Sequence, residues 1–163
     1  MNSDTLYDFS TNSNPRDWKI VDDVVMGGRS NGNFTINSEG HGVFSGKVST
    51  ENNGGFSSVR YETKKIKTAQ KSSIVLRVKG DGKVYQLRIK DRVNNYYSYI
   101  TEFKTSGNWE TINIPLRDLY PSFRGTRLNM ANFNSDSFEE IAFLIGNKKN
   151  ESFILMLDTI ELK

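Results

Sequence analysis

The chain has 163 residues, a length that suits one domain spanning 1–163 and able to bury a core without covalent staples. With no cysteine and a single histidine, it excludes disulfides, thiolate metal sites, cysteine nucleophiles and multi-imidazole zinc centres. Lys and Arg number 22 against 19 Asp and Glu, and a formal charge of +3 so evenly spread does not argue for nucleic acid. No apolar run approaches the roughly 20 residues that span a bilayer. The opening MNSDTLYDFS has neither a basic n-region nor an apolar core, so the expected setting is cytoplasmic. Aromatic residues at 12%, 13 glycines and only 3 prolines favour β-structure with many tight turns.

Short β-type runs recur along the chain between clusters of Gly, Asn, Asp and Ser. Leu6 to Phe9 opens it and is expected to pair near the C-terminus. Asn33 to Asn37, Gly42 to Val48 and Phe56 to Tyr61 follow. Ser73 to Lys79 (SIVLRVK) sets Ile74, Leu76 and Val78 on one face. Val84 to Lys90 (VYQLRIK) sets Tyr85, Leu87 and Ile89 on one face and Gln86, Arg88 and Lys90 on the other. Asp81-Gly82 between these two runs predicts a type I′ hairpin that pairs them antiparallel. Tyr96 to Lys104, Glu110 to Pro115 and Ile141 to Ile145 are further short strands. Phe153 to Leu162 is apolar enough for a central strand. About ten strands at this spacing predict an all-β, two-sheet sandwich. Leu116 to Glu140 lacks a strand period; its aromatics Tyr120, Phe123 and Phe133 predict an ordered flap over one sheet, with a helical turn at Leu116 to Tyr120.

Two clusters stand out. WKIVDDVVMGGRSNG runs from Trp18 to Gly32, and ENNGGFSSVR from Glu51 to Arg60. Together with GDGKVY, GNW and PSFRG further on, they resemble the complex I intermediate-associated protein family over nearly the whole chain. The resemblance implies a galactose-binding-like jelly roll, similar to a group of carbohydrate-binding modules. It also implies a relation to assembly chaperones of the respiratory NADH dehydrogenase. The chain shows no Arg-rich transit segment, and GGRSNG opens no helix, so it is not a dinucleotide-binding turn.

Arg60, Arg88 and Arg124 are the polar candidates for one concave surface, where planar guanidinium forks would take a sugar hydroxyl, a carboxylate or an acidic client segment. Alternatively they pin the flap to backbone carbonyls. Tyr99 and Phe123 are candidate stacking rings, although alternation groups Tyr97, Tyr99 and Phe103 on a face that commonly packs into a core. Asp23, Met26, Gly27, Gly28 and Ser30, with Asn53, Gly54 and Gly55, are read as loop-structuring. Asp23 is expected to accept hydrogen bonds from the amides of Met26 to Gly28. His41 is read as a solvated turn residue, and Trp18 and Trp109 as core or loop anchors. No catalytic constellation, metal-ligand set or cofactor motif emerges, because adjacent acids such as Asp22 and Asp23 point to opposite faces of a strand. The expectation is a non-enzymatic module holding a protein client. A carbohydrate-binding module on the same face is the second reading, and a glycan-active enzyme using Asp23 with a distant carboxylate the third. Neither nucleic acid nor a membrane span is expected, and oligomeric state is not legible.

Overall fold

Alternation of apolar and polar residues sorts the chain into two antiparallel sheets whose apolar faces meet. The computed structural model describes residues 4–163, apart from the side chains of Val25, Met26 and Asn53. Its strands are β1 (Asp4–Asp8), β2 (Lys19–Asp22), β3 (Asn31–Ile36), β4 (Gly42–Val48), β5 (Ser57–Lys67), β6 (Ser73–Lys79), β7 (Val84–Lys90), β8 (Ser98–Lys104), β9 (Trp109–Pro115), β10 (Tyr120–Phe123), β11 (Thr126–Arg127), β12 (Ser137–Ile145) and β13 (Glu151–Leu162). Helical structure among the described residues is confined to short 3-10 turns, one of them at Leu116–Asp118. The first sheet runs β3-β4-β13-β6-β9, with β1 also on β13. The second runs β11-β10-β8-β7-β12-β5-β2. The all-β sandwich expected from turn spacing is the fold observed.

Strand β13 organises the first sheet. Along one edge it pairs first with β4 and then with β1, and along the other with β6. Its Phe153, Leu155, Leu157, Ile160 and Leu162 are buried, while Ile154 is exposed. Opposite them lie Tyr85, Leu87 and Ile89 of β7 and Ile141, Phe143 and Ile145 of β12, all at 1% exposure or less. Trp18 closes one end of the sandwich. Its ring stacks 5.1 Å from Tyr61 and 6.0 Å from Phe143 of the second sheet, and 5.7 Å from Phe34 of the first.

The hairpin expected at Asp81-Gly82 does not form. β6 pairs with β13 and β9, and β7 with β12 and β8, so the two runs lie in different sheets and the link between them crosses the core. Each run carries one apolar face, and setting those faces against each other buries both; pairing edge to edge would not. The link is fixed by its own side chain. The Asp81 carboxylate accepts the Ile154 amide of β13 at 2.9 Å and the Tyr85 hydroxyl at 3.0 Å. Burial, then the Asp81 charge and this bond, drive the Tyr85 phenol far above its usual pKa.

The expected flap over one sheet is also corrected. Its first part is a hairpin, β10–β11, that extends the second sheet beyond β8. The two residues at its turn, Arg124 (φ 50°) and Gly125 (φ 80°), both have positive φ, as a type I′ turn requires. The following loop turns inward. Phe133 is buried edge-on against Tyr99, centroids 5.2 Å apart, and its amide donates to the Leu119 carbonyl. Glu140 belongs to β12 and not to a flap. Near the first sheet's outer face, His41 is not a solvated turn residue: its ring lies 4.5 Å from Trp109 and its side chain is 21% exposed.

The chain has no native cysteine to interfere with a cross-linking check. Cysteines at Arg77 and Thr111, which are cross-strand partners, are expected to close into a disulfide on oxidation. Cysteines at Arg77 and Gln86, partners in the rejected hairpin, are expected to stay reduced. The reverse result, read by mass spectrometry, would overturn the crossover.

Candidate functional site

The outer face of the second sheet is built by the same alternation that builds the core. With Tyr85, Leu87 and Ile89 of β7 turned inward, Gln86, Arg88 and Lys90 turn outward. In β12, inward Ile141 and Phe143 leave Glu140, Ala142 and Leu144 outside, and β5 contributes Ser58, Arg60 and Glu62. Register aligns these into rows. One row runs Lys19–Arg60–Ala142–Arg88–Ile100–Tyr120 across six strands. The next holds Glu62, Glu140 and Lys90. A third holds Ser58, Leu144, Gln86 and Glu102.

Charge on this face is concentrated and under-compensated. Among the described residues no carboxylate lies within 4 Å of the Arg60, Arg88 or Lys90 head group. Arg88 donates to Gln86 Oε1 at 2.7 Å, and Lys90 to the Asn95 carbonyl at 3.0 Å. Burial, and then the Arg60 charge, bring Arg88 down to about 10, against the opposing pull of Glu140 and Tyr120; it stays cationic at neutral pH. Burial also lowers Lys90. Glu140, 7% exposed, is raised by burial in spite of Arg60, Lys90 and Arg88 around it. Several groups shifted by burial and by each other's charge lie together on this outward face, which makes it the candidate site.

Of the sequence candidates, Arg60 and Arg88 share a row and Arg124 does not. Arg124 sits at the hairpin turn, fully outside that row, with its guanidinium 5.2 Å from the Phe123 ring. Phe123 is exposed at the hairpin end and packs edge-on against exposed Tyr96, centroids 5.1 Å apart. Tyr99 is not available for stacking. It faces the core at 5% exposure between Tyr97 and Phe133, because its parity in β8 matches that of Phe103. The aromatic ring in the central row, Tyr120, lies under the Arg127 guanidinium at 4.6 Å. Ala142, Glu140, Lys90, Gln86 and Tyr120 escaped the sequence reading as site residues. The alternation of VYQLRIK already put Gln86 and Lys90 beside Arg88, but Ala142 has meaning only through its two cross-strand partners.

The glycine clusters form a knot where β2 ends and β5 begins. Asp23 is fully buried, and its carboxylate accepts the Ser30 amide (2.9 Å), the Ser30 hydroxyl (2.6 Å), the Gly55 amide (2.6 Å) and the Phe56 amide (3.2 Å). The expected donors, the amides of Met26 to Gly28, are replaced by these. Gly28 N–H instead reaches the Asp23 backbone carbonyl, since the 3-10 turn Asp23–Met26 directs it there. Ser30 Oγ also accepts the Ser49 amide at 2.9 Å, joining both loops. Gly28 and Gly54 press so closely on the Asp23 carboxyl group that neither has room for a Cβ. Gly27 ends the turn at φ 88° and Gly55 stands at φ 140°, both in the region that favours glycine. The Met26 and Asn53 side chains lie outside the described residues. Asp22 points the other way, accepting the Ser57 hydroxyl (2.5 Å) and the Gly32 amide (2.9 Å). Buried and fully engaged, Asp23 presents no free oxygen to a substrate. Burial alone would raise its pKa, but the Ser30 hydroxyl and the Gly55, Ser30 and Phe56 amides outweigh that and hold it below the ordinary 3.8.

Residues 7–157 match the family model of Complex I intermediate-associated protein 30 (CIA30). The chain belongs to the CIA30 family. Among solved structures, this CIA30 domain is similar to the family 11 carbohydrate-binding module of the cellulosomal cellulase Lic26A-Cel5E of Clostridium thermocellum. The TM-score is 0.74 and the identity 18%, covering 99% of this chain and 94% of that one. The family 11 module in complex with a β-1,3-1,4-mixed-linked tetrasaccharide matches at TM-score 0.72 and 17% identity, covering 98% and 94%. The agarase AgWH50C matches at 0.65 and 14%, covering all of this chain and 24% of that one. At such identities the likeness establishes a shared jelly-roll fold. No helix among the described residues is long and apolar enough to cross a membrane.

In the CIA30 domain, Asp23→Asn is expected to cost on the order of 3 kcal/mol, because an amide N–H₂ then faces buried donors. Asp23 titrates lower in the folded state, so its contribution is complete above about pH 5 and is lost as pH falls through the folded pKa. The stability difference between wild type and Asp23→Asn, from urea melts, is therefore expected to be flat near neutrality and to shrink below pH 3.8. Gly28→Ala should cost about 1–3 kcal/mol through overpacking, and less when Asp23 is also shortened to Ser.

Proposed function

We propose that this CIA30 domain is a non-enzymatic binding module that holds a protein client on the outer face of its seven-stranded sheet. The observation that carries this reading is the central row, where Arg60 and Arg88 stand either side of Ala142 with no carboxylate of the described residues within 4 Å, Glu140 acting on both only from the next row. Charged groups taken partly out of water and left unpaired cost folding free energy, and a client's opposite charges offset that cost on binding. The family's description, a protein associated with an intermediate of complex I, accords with a client-holding task. The work would be done by polar and shape complementarity, with no covalent step.

Carbohydrate is the second reading, favoured by the likeness to the family 11 module, which has been solved with a tetrasaccharide. Sugar recognition draws heavily on rings presented flat to the ligand. Here Tyr99 and Phe103 face the core and Tyr120 is covered by Arg127, which favours the protein reading.

Co-purification of the full chain at native abundance is expected to recover a stoichiometric partner. Arg60→Ala or Arg88→Ala should weaken that complex about tenfold or more, as loss of a desolvated charge contact does, while Arg77→Ala on the other sheet leaves it unchanged. Recovery of no partner, together with saturable binding on a glycan array, would transfer the face to the second reading.

A further inference from the structure

The outer face is specific about what it asks of a ligand. Ala142 is the cross-strand partner of Arg60 on one side and of Arg88 on the other. Only a methyl group stands between the two arginine side chains in the row, and at 4% exposure it is covered by its neighbours, so a ligand in the notch between them meets the guanidinium groups and not the methyl itself. Arg60 makes no hydrogen bond or ion pair among the described residues, and Arg88 commits only its Nη1, to Gln86. Both forks therefore keep N–H donors free in the same place. Like charges held in each other's field repel, and an anion placed between them relieves the repulsion while satisfying two sets of donors.

We infer that the notch over Ala142 takes a single carboxylate, the side chain of an Asp or Glu in an extended segment of the protein client. This rests on the client-binding reading of the face and adds the chemistry by which the client is chosen. Glu140 and Glu62 sit in the next row, beside the notch. Arg60, Arg88 and Lys90 set against Glu62 and Glu140 leave a net charge of about +1 around the notch, which one carboxylate balances and a dianion such as phosphate over-compensates. Lys19 at the end of the row and Lys90 in the next add positive field without closing the notch. The shortage of open rings on this face argues against an acidic sugar as occupant.

The test uses the full chain, labelled with ¹⁵N and titrated with hexaglutamate, with hexaglutamine and inorganic phosphate as controls. Hexaglutamate is expected to shift the Ala142 amide and the Arg60 and Arg88 Nε–H signals saturably, with the effect weakened as salt rises. Hexaglutamine should leave these signals in place, and phosphate should bind at least tenfold more weakly. Ala142→Glu supplies the carboxylate from within. It keeps both arginines, should melt no lower than wild type, and should abolish the hexaglutamate shifts. Arg60→Gln with Arg88→Gln should abolish them too. Shifts that persist in Ala142→Glu, or that scatter over surface lysines, would overturn the inference. Once a client is identified, its retention by Ala142→Glu but loss in Gln86→Trp would leave the docking face intact and remove the carboxylate. Retention by both variants would remove the docking face as well.

Discussion

The register of β12 between β5 and β7 is the constraint on which the rest of the molecule depends. One choice of register does two things at once: it turns Ile141, Phe143 and Ile145 into the core and sets Ala142 between Arg60 and Arg88 outside. Because side chains alternate with period two, a slip of one residue would bury Glu140 and Ala142 in an apolar core and expose three large hydrophobic residues. Core packing therefore enforces the geometry of the outer face, and no contact between the arginines themselves is needed to hold it.

The end of that face is held by a different kind of interaction. Asp23 gathers donors from two loops, Ser30 in one and Gly55 and Phe56 in the other, and the glycines around it are there because a carboxylate with four donors leaves no volume for a methyl group. A buried carboxylate is stabilised only when its lone pairs are filled, and here they are. The glycine clusters, read from sequence as loop-structuring, form a knot that sits where β2 ends and β5 begins, and so where the outer face stops.

Neither the family nor the fold fixes the ligand. The CIA30 match covers most of the chain, and the jelly-roll likeness covers nearly all of it. Between relatives that share a scaffold, function resides in the side chains the scaffold presents. In this chain those are guanidinium, ammonium and carboxylate groups on a floor of Ala142, Leu144 and Ile100, with most aromatic rings turned to the other side. Such a surface is suited to charge and shape, and poorly suited to stacking.

Strand composition was legible from residue order alone: Gly42–Val48, Ser73–Lys79 and Val84–Lys90 have the bounds that alternation predicts. For Ser73–Lys79 and Val84–Lys90 the apolar face followed as well, and with it the outward placement of Arg88. Partnership was not legible. Asp81-Gly82 carries the usual mark of a hairpin and makes none, while Arg124-Gly125, a less expected pair, turns one. A turn dipeptide states only what the local backbone tolerates. Whether two apolar faces lie side by side in one sheet or confront each other across a core is decided by how much surface each arrangement removes from water, and that sum runs over the whole chain. The same sum brought Ala142, of no note in sequence, between two arginines, whereas the parity that turns Tyr99 inward was already in the alternation of its strand: periodicity along a strand is local information, and adjacency across strands exists only once the sheets have closed.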